Sequence, residues 1–181
     1  MKRIVICIAL LNILVASCGP KKSESVKEIQ DLENTITPPM IFSPDHSVCS
    51  QLLSKYMQFA EAFPKDSLAP IYLYKAAELA QNIAIYDTCI LCADRFIESY
   101  PDSKQLGDAY MLKGISLENT GKYEDAKATY QAFVEKCPDH PLVKDIKIQL
   151  DNNMIGMSPE EQLDVVTKSN IQDTTNFPEI K

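Results

Sequence analysis

The sequence predicts an all-α protein built as a short solenoid of helical hairpins, with about two and a half repeats and a capping helix. Pro64, Pro101 and Pro138 recur every 37 residues, and each opens a polar turn. Between these turns the apolar residues follow the period of an α-helix. The chain has only five Gly and no Trp, a composition that suits helices better than a turn-rich β fold.

The repeat is visible at fixed distances before each proline. The matching positions are Phe59, Phe96 and Phe133 five residues before it, and Tyr56, Ala93 and Tyr130 eight residues before it. Gly121 makes the short turn between the helices of one unit, at the position that ends a helix. Residues 45–153 are therefore predicted to form one repeat domain of antiparallel helix pairs, in which the helix around 142–150 is the cap.

Residues 1–17 are predicted to be a signal peptide. Lys2 and Arg3 precede an apolar run from 4 to 15 that only Asn12 interrupts. Because a membrane-spanning helix needs about 20 residues, the shorter run is interpreted as a removable signal. Loss of Lys2 and Arg3 lowers the formal net charge from −7 to −9. Such an acidic chain is a poor candidate for binding nucleic acid or an anionic lipid surface.

Residues 18–44 are predicted to be a lipidated cysteine followed by a tether. The stretch after Cys18 is polar. Ser25 and Glu28 match a capping box that starts a short, marginal helix within the linker, and Pro38 and Pro39 stop it.

A short C-terminal helix over 154–168 and a flexible tail over 169–181 are predicted after the repeat domain. Ser158, Pro159 and Glu161 occupy the N-cap, first and third positions of a helix start. The residues from Ser169 onward are mostly polar, which is typical of a disordered end.

Cys89 and Cys92 form the sharpest candidate for chemistry. A C-x-x-C pair near a helix N-terminus can be redox-active, because the helix end stabilises a thiolate. The pair lacks a preceding strand, and Cys89 stands where the repeat has a small buried residue. A buried structural role, or a structural disulfide among some of the four cysteines Cys49, Cys89, Cys92 and Cys137, therefore stays open beside the redox hypothesis.

No other pattern predicts an enzyme, a metal site or a cofactor. His46 and His140 are far apart and lie at turns or helix edges, whereas a metal site needs three or four ligands at workable spacing. The sequence has no P-loop, G-x-S-x-G or H-E-x-x-H motif. We therefore expect a protein without enzymatic activity.

Residues 107–140 resemble the tetratricopeptide repeat. The small, large, turn, aromatic and proline positions of its signature are held by Gly114, Leu117, Gly121, Tyr123, Ala126, Tyr130 and Pro138. The unit at 70–103 is similar but departs at Ala84, where Gly is usual, and at Cys89, where Ala is usual. Residues 46–64 resemble only the second helix of an earlier unit.

The resemblance implies a concave face that binds a protein or peptide partner and is lined by the first helix of each pair. Carried over by position, this predicted face holds Ile71, Tyr74, Glu78, Gln81, Asn82, Asp108, Met111, Ile115, Glu118 and Asn119. Asn82 and Asn119 share one repeat position, where side-chain amides could hydrogen-bond an extended peptide backbone.

The run Val15-Ala16-Ser17-Cys18 resembles the lipobox of bacterial lipoproteins. That resemblance implies cleavage before Cys18, fatty-acid chains such as palmitate on its thiol, and a membrane anchor. By the sorting pattern of Gram-negative lipoproteins, Gly19 implies the outer membrane, with the protein facing the periplasm. Together with the repeats, the chain is similar to envelope lipoproteins of the β-barrel assembly and Tol–Pal type, which implies a role in outer-membrane assembly or envelope maintenance.

Three functional hypotheses follow. The first is a lipid-anchored envelope scaffold that binds a protein or peptide partner through its helical repeats. The second is an envelope thiol–disulfide protein that uses Cys89 and Cys92. The third is a subunit that only stabilises a larger complex, which a groove filled by the chain's own tail would indicate.

Overall fold

The predicted all-α helical-repeat class is confirmed. The computed structural model describes residues 21–36 and 45–175, which form helices and turns without a strand. The helices are α1 Lys22–Ile36, α2 His46–Ala62, α3 Ala69–Asn82, α4 Tyr86–Ser99, α5 Leu106–Asn119, α6 Tyr123–Lys136, α7 Val143–Asp151 and α8 Pro159–Thr175. The predicted signal peptide, Cys18 and residues 176–181 of the predicted tail lie outside the described residues.

Consecutive helices in the described part of the chain form three hairpins, α1–α2, α3–α4 and α5–α6. Helix α7 packs on α6, in the place predicted for the cap, and α3 also touches α5. One apolar core runs from α1 to the start of α5, and a second joins α5, α6 and α7. This stacking is typical of a solenoid, in which each unit covers the apolar face of its neighbour.

Helix α1 is part of this stack, which corrects the prediction of a tether for residues 22–36. Ile29 is fully buried, and Val26 and Leu32 pack against the same core. Lys22 at the start of α1 pairs with Asp66 beyond the end of α2, at 2.5 Å, so the two helices run antiparallel. Burial of this face stabilises α1, which would be marginal as a short isolated helix. Since α1 and α2 form a complete pair, the repeat count rises from two and a half to three hairpins.

The turn after each hairpin is closed by a side chain at one repeat position. Asp66, Ser103 and His140 are 37 residues apart, and each accepts the backbone N–H of the residue two positions later. The acceptors are a carboxylate Oδ1 at 3.0 Å, a hydroxyl Oγ at 3.3 Å and an imidazole Nδ1 at 3.3 Å. Three chemically different side chains therefore satisfy the same N–H near the start of the next helix.

The turns that follow α3, α5 and α7 each use a left-handed residue. Ala84, Gly121 and Asn153 have φ of 58°, 72° and 53°. The N–H of the next residue then donates to the helix carbonyl five residues before it, at 2.8, 2.9 and 2.8 Å. This is the Schellman arrangement, which satisfies the last carbonyls of the helix and starts the chain on its return.

Replacing Ala84 with glycine should stabilise the fold. An L-residue with a Cβ costs about 1–2 kcal/mol in the left-handed region, and the larger freedom of Gly in the unfolded chain cancels part of that gain. We expect a net increase of about 0.5–1 kcal/mol in the free energy of unfolding, measured by urea denaturation.

Gly121→Ala is the matched control, since it places a Cβ at the equivalent position with φ of 72°, and it should change stability in the opposite direction. A loss of stability in Ala84→Gly would mean that the alanine methyl group contributes more than its backbone strain costs.

Helix α7 follows the third hairpin at the repeat position of α3 and α5, but it is shorter, with nine residues where those helices have 14. Residues 154–158, the covering segment, then return across the end of α5. Helix α8 follows with the predicted capping box, in which the Ser158 N–H donates to Glu161 at 2.7 Å and the Glu161 N–H donates to the Ser158 hydroxyl at 3.3 Å. Helix α8 continues to Thr175, so it extends past the predicted helix end at 168 into the segment predicted as a flexible tail.

Candidate functional site

A groove opens where the C-terminal half of α1 stands beside α3. We call it the α1–α3 groove, and its volume is about 560 Å³. It is lined by Glu33, Asn34 and Ile36 of α1, Leu52 and Tyr56 of α2, and Lys75, Glu78, Leu79 and Asn82 of α3. Two residues of the predicted concave face, Glu78 and Asn82, therefore line an open groove.

One wall of the groove is held by Glu33. Its Oε1 accepts hydrogen bonds from the Tyr56 hydroxyl at 2.6 Å and from Lys75 Nζ at 2.7 Å. Burial raises the pKa of Glu33, but the contacts with Lys75 and Tyr56 outweigh it and hold the pKa below its usual value. The Lys75 ammonium also lies 5.9 Å from the centre of the Tyr56 ring. These contacts fix the distance between α1 and α3.

In the middle of the predicted face, the side chains pack between neighbouring helices. Gln81 and Ser116 share a short side-chain hydrogen bond where α3 meets α5. The Tyr74 ring lies 5.7 Å from Phe96, and Met111 packs against the second core. These three predicted residues, Gln81, Tyr74 and Met111, mainly hold neighbouring helices together.

The α5 end of the predicted face is bordered by the chain itself. Glu118 accepts the Tyr130 hydroxyl on one carboxylate oxygen at 2.6 Å and the Gly156 N–H on the other at 3.1 Å. Ile115, Glu118 and Asn119 line a cleft whose opposite side is formed by residues 156–158. The third functional hypothesis anticipates such a contact, but only at this end of the face.

The remaining predicted residues lie at the edges of the face. Asp108 Oδ1 is 3.2 Å from His140 Nε2, so this carboxylate joins the start of α5 to the turn before α7. The Asn119 amide donates to the Ile115 carbonyl of its own helix at 2.8 Å. Ile71 is exposed at the start of α3, with 46% of its surface accessible.

Sequence reasoning missed the contribution of α1. Glu33, Asn34 and Ile36 were assigned to a tether, and Lys75 was not included in the concave face. The burial of Ile29 could have been inferred from its position between Val26 and Leu32, which gives α1 an apolar stripe at helical spacing. The local sequence does not show that this stripe packs on α2, because α2 lies in a separate segment of the chain.

The four described cysteines are free thiols, and the structure does not support the thiol–disulfide hypothesis. Cys89 and Cys92 are completely buried. Burial raises the pKa of both thiols, and that of Cys92 reaches about 11. A reactive pair needs an accessible thiolate, whereas these side chains pack as small apolar groups between the helices.

Native alkylation should therefore spare three cysteines. We expect Cys49, Cys89 and Cys92 to stay unmodified by iodoacetamide at neutral pH and to react after denaturation, since each is at least 99% buried. Cys137 is only partly buried and should react first, although slowly, because burial and Asp108 raise its pKa. Peptide mass spectrometry measures each site, and rapid native labelling of Cys92 would reinstate the redox hypothesis.

Within residues 21–36 and 45–175 the structure contains no group of three or more His, Cys, Asp or Glu side chains able to hold a metal ion. Over the same ranges, no helix combines the length and the apolar character that a membrane crossing requires.

Comparison with protein families supports the repeat assignment. A family model for the tetratricopeptide repeat matches residues 108–140, from the first turn of α5 to the turn that follows α6. No curated protein matches the chain. Tetratricopeptide repeats commonly mediate protein–protein interactions, and the matched unit is the hairpin whose end carries the covering segment.

Proposed function

We propose that this chain is a lipid-anchored scaffold of the bacterial cell envelope that binds a protein partner through the α1–α3 groove. The observation that carries the binding function is the groove itself, about 560 Å³ in volume, which combines apolar lining residues with Glu78 and Asn82 of the predicted concave face. The match to a repeat that commonly mediates protein interactions supports the same function.

The evidence for the lipid anchor is the N-terminal sequence that precedes the helical domain. A basic start, an apolar run and Val15-Ala16-Ser17-Cys18 form the lipobox pattern at the position where a lipoprotein signal ends. Stable attachment to a membrane needs more than one acyl chain. The two or three chains that a lipoprotein cysteine carries would therefore hold the domain at the membrane through Cys18. With Gly19 next, we place the anchor in the outer membrane facing the periplasm, where a role in outer-membrane assembly or envelope maintenance becomes the working hypothesis.

The anchor is tested by labelling cells with an alkyne analogue of palmitate. We expect the wild-type chain to carry the label and to sediment with membranes, and Cys18→Ala to lose the label. A wild-type chain that stays unlabelled in cells that label other lipoproteins would refute the anchor without affecting the binding function.

The binding function is tested with a photo-crosslinking residue at Asn82, an exposed position that lines the groove. The matched control is Glu98, an exposed residue of α4 away from it. We expect one defined envelope protein to be captured from Asn82 and not from Glu98. Equal capture from both positions, or capture from neither in a folded protein, would refute the groove as the binding surface.

A further inference from the structure

We propose that the α1–α3 groove is a receptor for a peptide segment that carries an apolar side chain next to a lysine or arginine. This inference rests on the proposed function and names the chemistry of its ligand. It depends on the floor of the groove, on its charges and on a contact that the protein makes with its own chain.

The floor and one wall of the groove are apolar. Leu52 lies at the base, Leu79 projects from α3, and Ile36 closes the end of α1. Ile36 and Leu79 are only partly buried, although they pack against the main core. An apolar side chain of a ligand would complete their burial, which contributes roughly 25 cal/mol for each Å² of apolar surface removed from water.

The charges around the groove favour a cation. Lys75 is neutralised by Glu33 at 2.7 Å, so the remaining charged side chain of the lining is the Glu78 carboxylate. Glu78 is exposed, and no lysine or arginine of the described residues pairs with it. The whole chain carries a formal charge of −7, which adds a long-range attraction for a basic ligand.

The third hairpin shows how a backbone N–H binds at an equivalent place. Tyr56 and Tyr130 occupy the same repeat position, and each donates its hydroxyl to a glutamate of the preceding helix at 2.6 Å. At Tyr130 that glutamate, Glu118, also accepts the backbone N–H of Gly156. The chain therefore already places a backbone N–H beside one Tyr–Glu pair.

The length of the following helix explains why the two places differ. After the third hairpin, α7 ends after nine residues, and the Gly156 N–H of the segment that follows binds Glu118 at one side of the cleft. After the first hairpin, α3 has 14 residues and continues past the groove, so that its last turn contributes Asn82 to the rim. The Asn82 amide makes no hydrogen bond to the described residues, and it can pair with a ligand backbone.

The test measures binding of two pools of short fluorescent peptides to the purified full chain. Both pools hold a central Leu or Phe and otherwise uncharged residues, but one has Lys beside the apolar residue and the other has Glu. We expect the lysine pool to bind at least about tenfold more tightly by fluorescence anisotropy. Glu78→Lys should reverse that preference, whereas the control Glu98→Lys should preserve it.

Several outcomes would overturn the proposal. Equal affinity for the two pools would remove the basic requirement, and an equal effect of Glu98→Lys would show attraction to the overall charge alone. Binding that appears only after residues 37–44 are replaced by Gly and Ser would assign the groove to the chain's own connection. Specific crosslinking from Asn82 together with any of these results would leave the proposed function standing and refute only this ligand class.

Discussion

Replacing Tyr130 with alanine is expected to lower the free energy of unfolding by about 3–5 kcal/mol, the range measured for large buried aromatic residues. The ring is 1% exposed in the core of α5, α6 and α7, and its hydroxyl donates to Glu118. Tyr130→Phe keeps the ring and removes only the hydrogen bond, so its cost should be near 1 kcal/mol. Urea denaturation of the three proteins measures both differences.

The same ring explains Gly114. A Cβ on Gly114 would overlap the Tyr130 ring, so Gly114→Ala should cost about 1–3 kcal/mol in the wild type. In the Tyr130→Ala background the overlap is gone, and alanine should be neutral or stabilising, because it favours a helix more than glycine does. The α3–α4 hairpin already has alanine at both positions, since Ala77 is equivalent to Gly114 and Ala93 is equivalent to Tyr130.

The double-mutant cycle distinguishes this explanation from a general intolerance of helix α5. We expect a coupling energy of more than about 1 kcal/mol between positions 114 and 130. Additive effects would show that Gly114 is needed for a reason other than its contact with the ring.

Ile29→Ala should be the second large effect, with a loss of about 2–5 kcal/mol, because Ile29 is fully buried between α1 and the main core. The exposed neighbour Gln30 provides the control, and Gln30→Ala should change stability by less than about 0.5 kcal/mol. Hydrogen exchange should show that Ile29→Ala opens α1 more than it opens α4. If α1 were a tether, both substitutions would leave stability unchanged.

Loss of α1 should also remove the α1–α3 groove, since Glu33 and Ile36 form one of its walls. Ile29→Ala is therefore expected to weaken peptide binding, although its side chain does not line the groove. Binding that survives when α1 is open would place the ligand site on α3 alone.

Much of the repeat was predictable from local pattern. Pro101 and Pro138 open turns, Gly121 adopts the left-handed conformation expected of it, and Gly114 is small where an aromatic ring crosses. The capping box at Ser158 also forms as predicted. Each of these features depends on interactions within one hairpin or one turn, so the residue types and their spacing carry the information.

The candidate site was predicted less completely. Two residues of the predicted face line the open groove, while Gln81, Tyr74 and Met111 pack between helices. A repeat pattern identifies which face of a helix looks toward its neighbours. It does not reveal how closely two neighbouring helices approach, and that distance decides whether a face becomes a groove or a packed interface.

The helical class, the 37-residue period and the turn positions follow from local sequence, because helix periodicity, proline and left-handed residues act within a few residues of one another. The three-dimensional contacts were needed to show that α1 docks on α2, that the Gly156 N–H binds Glu118, and that Cys89 and Cys92 are shielded from solvent. These outcomes depend on contacts between distant segments, where the free energy of burying a shared apolar face outweighs the marginal local preference of each segment.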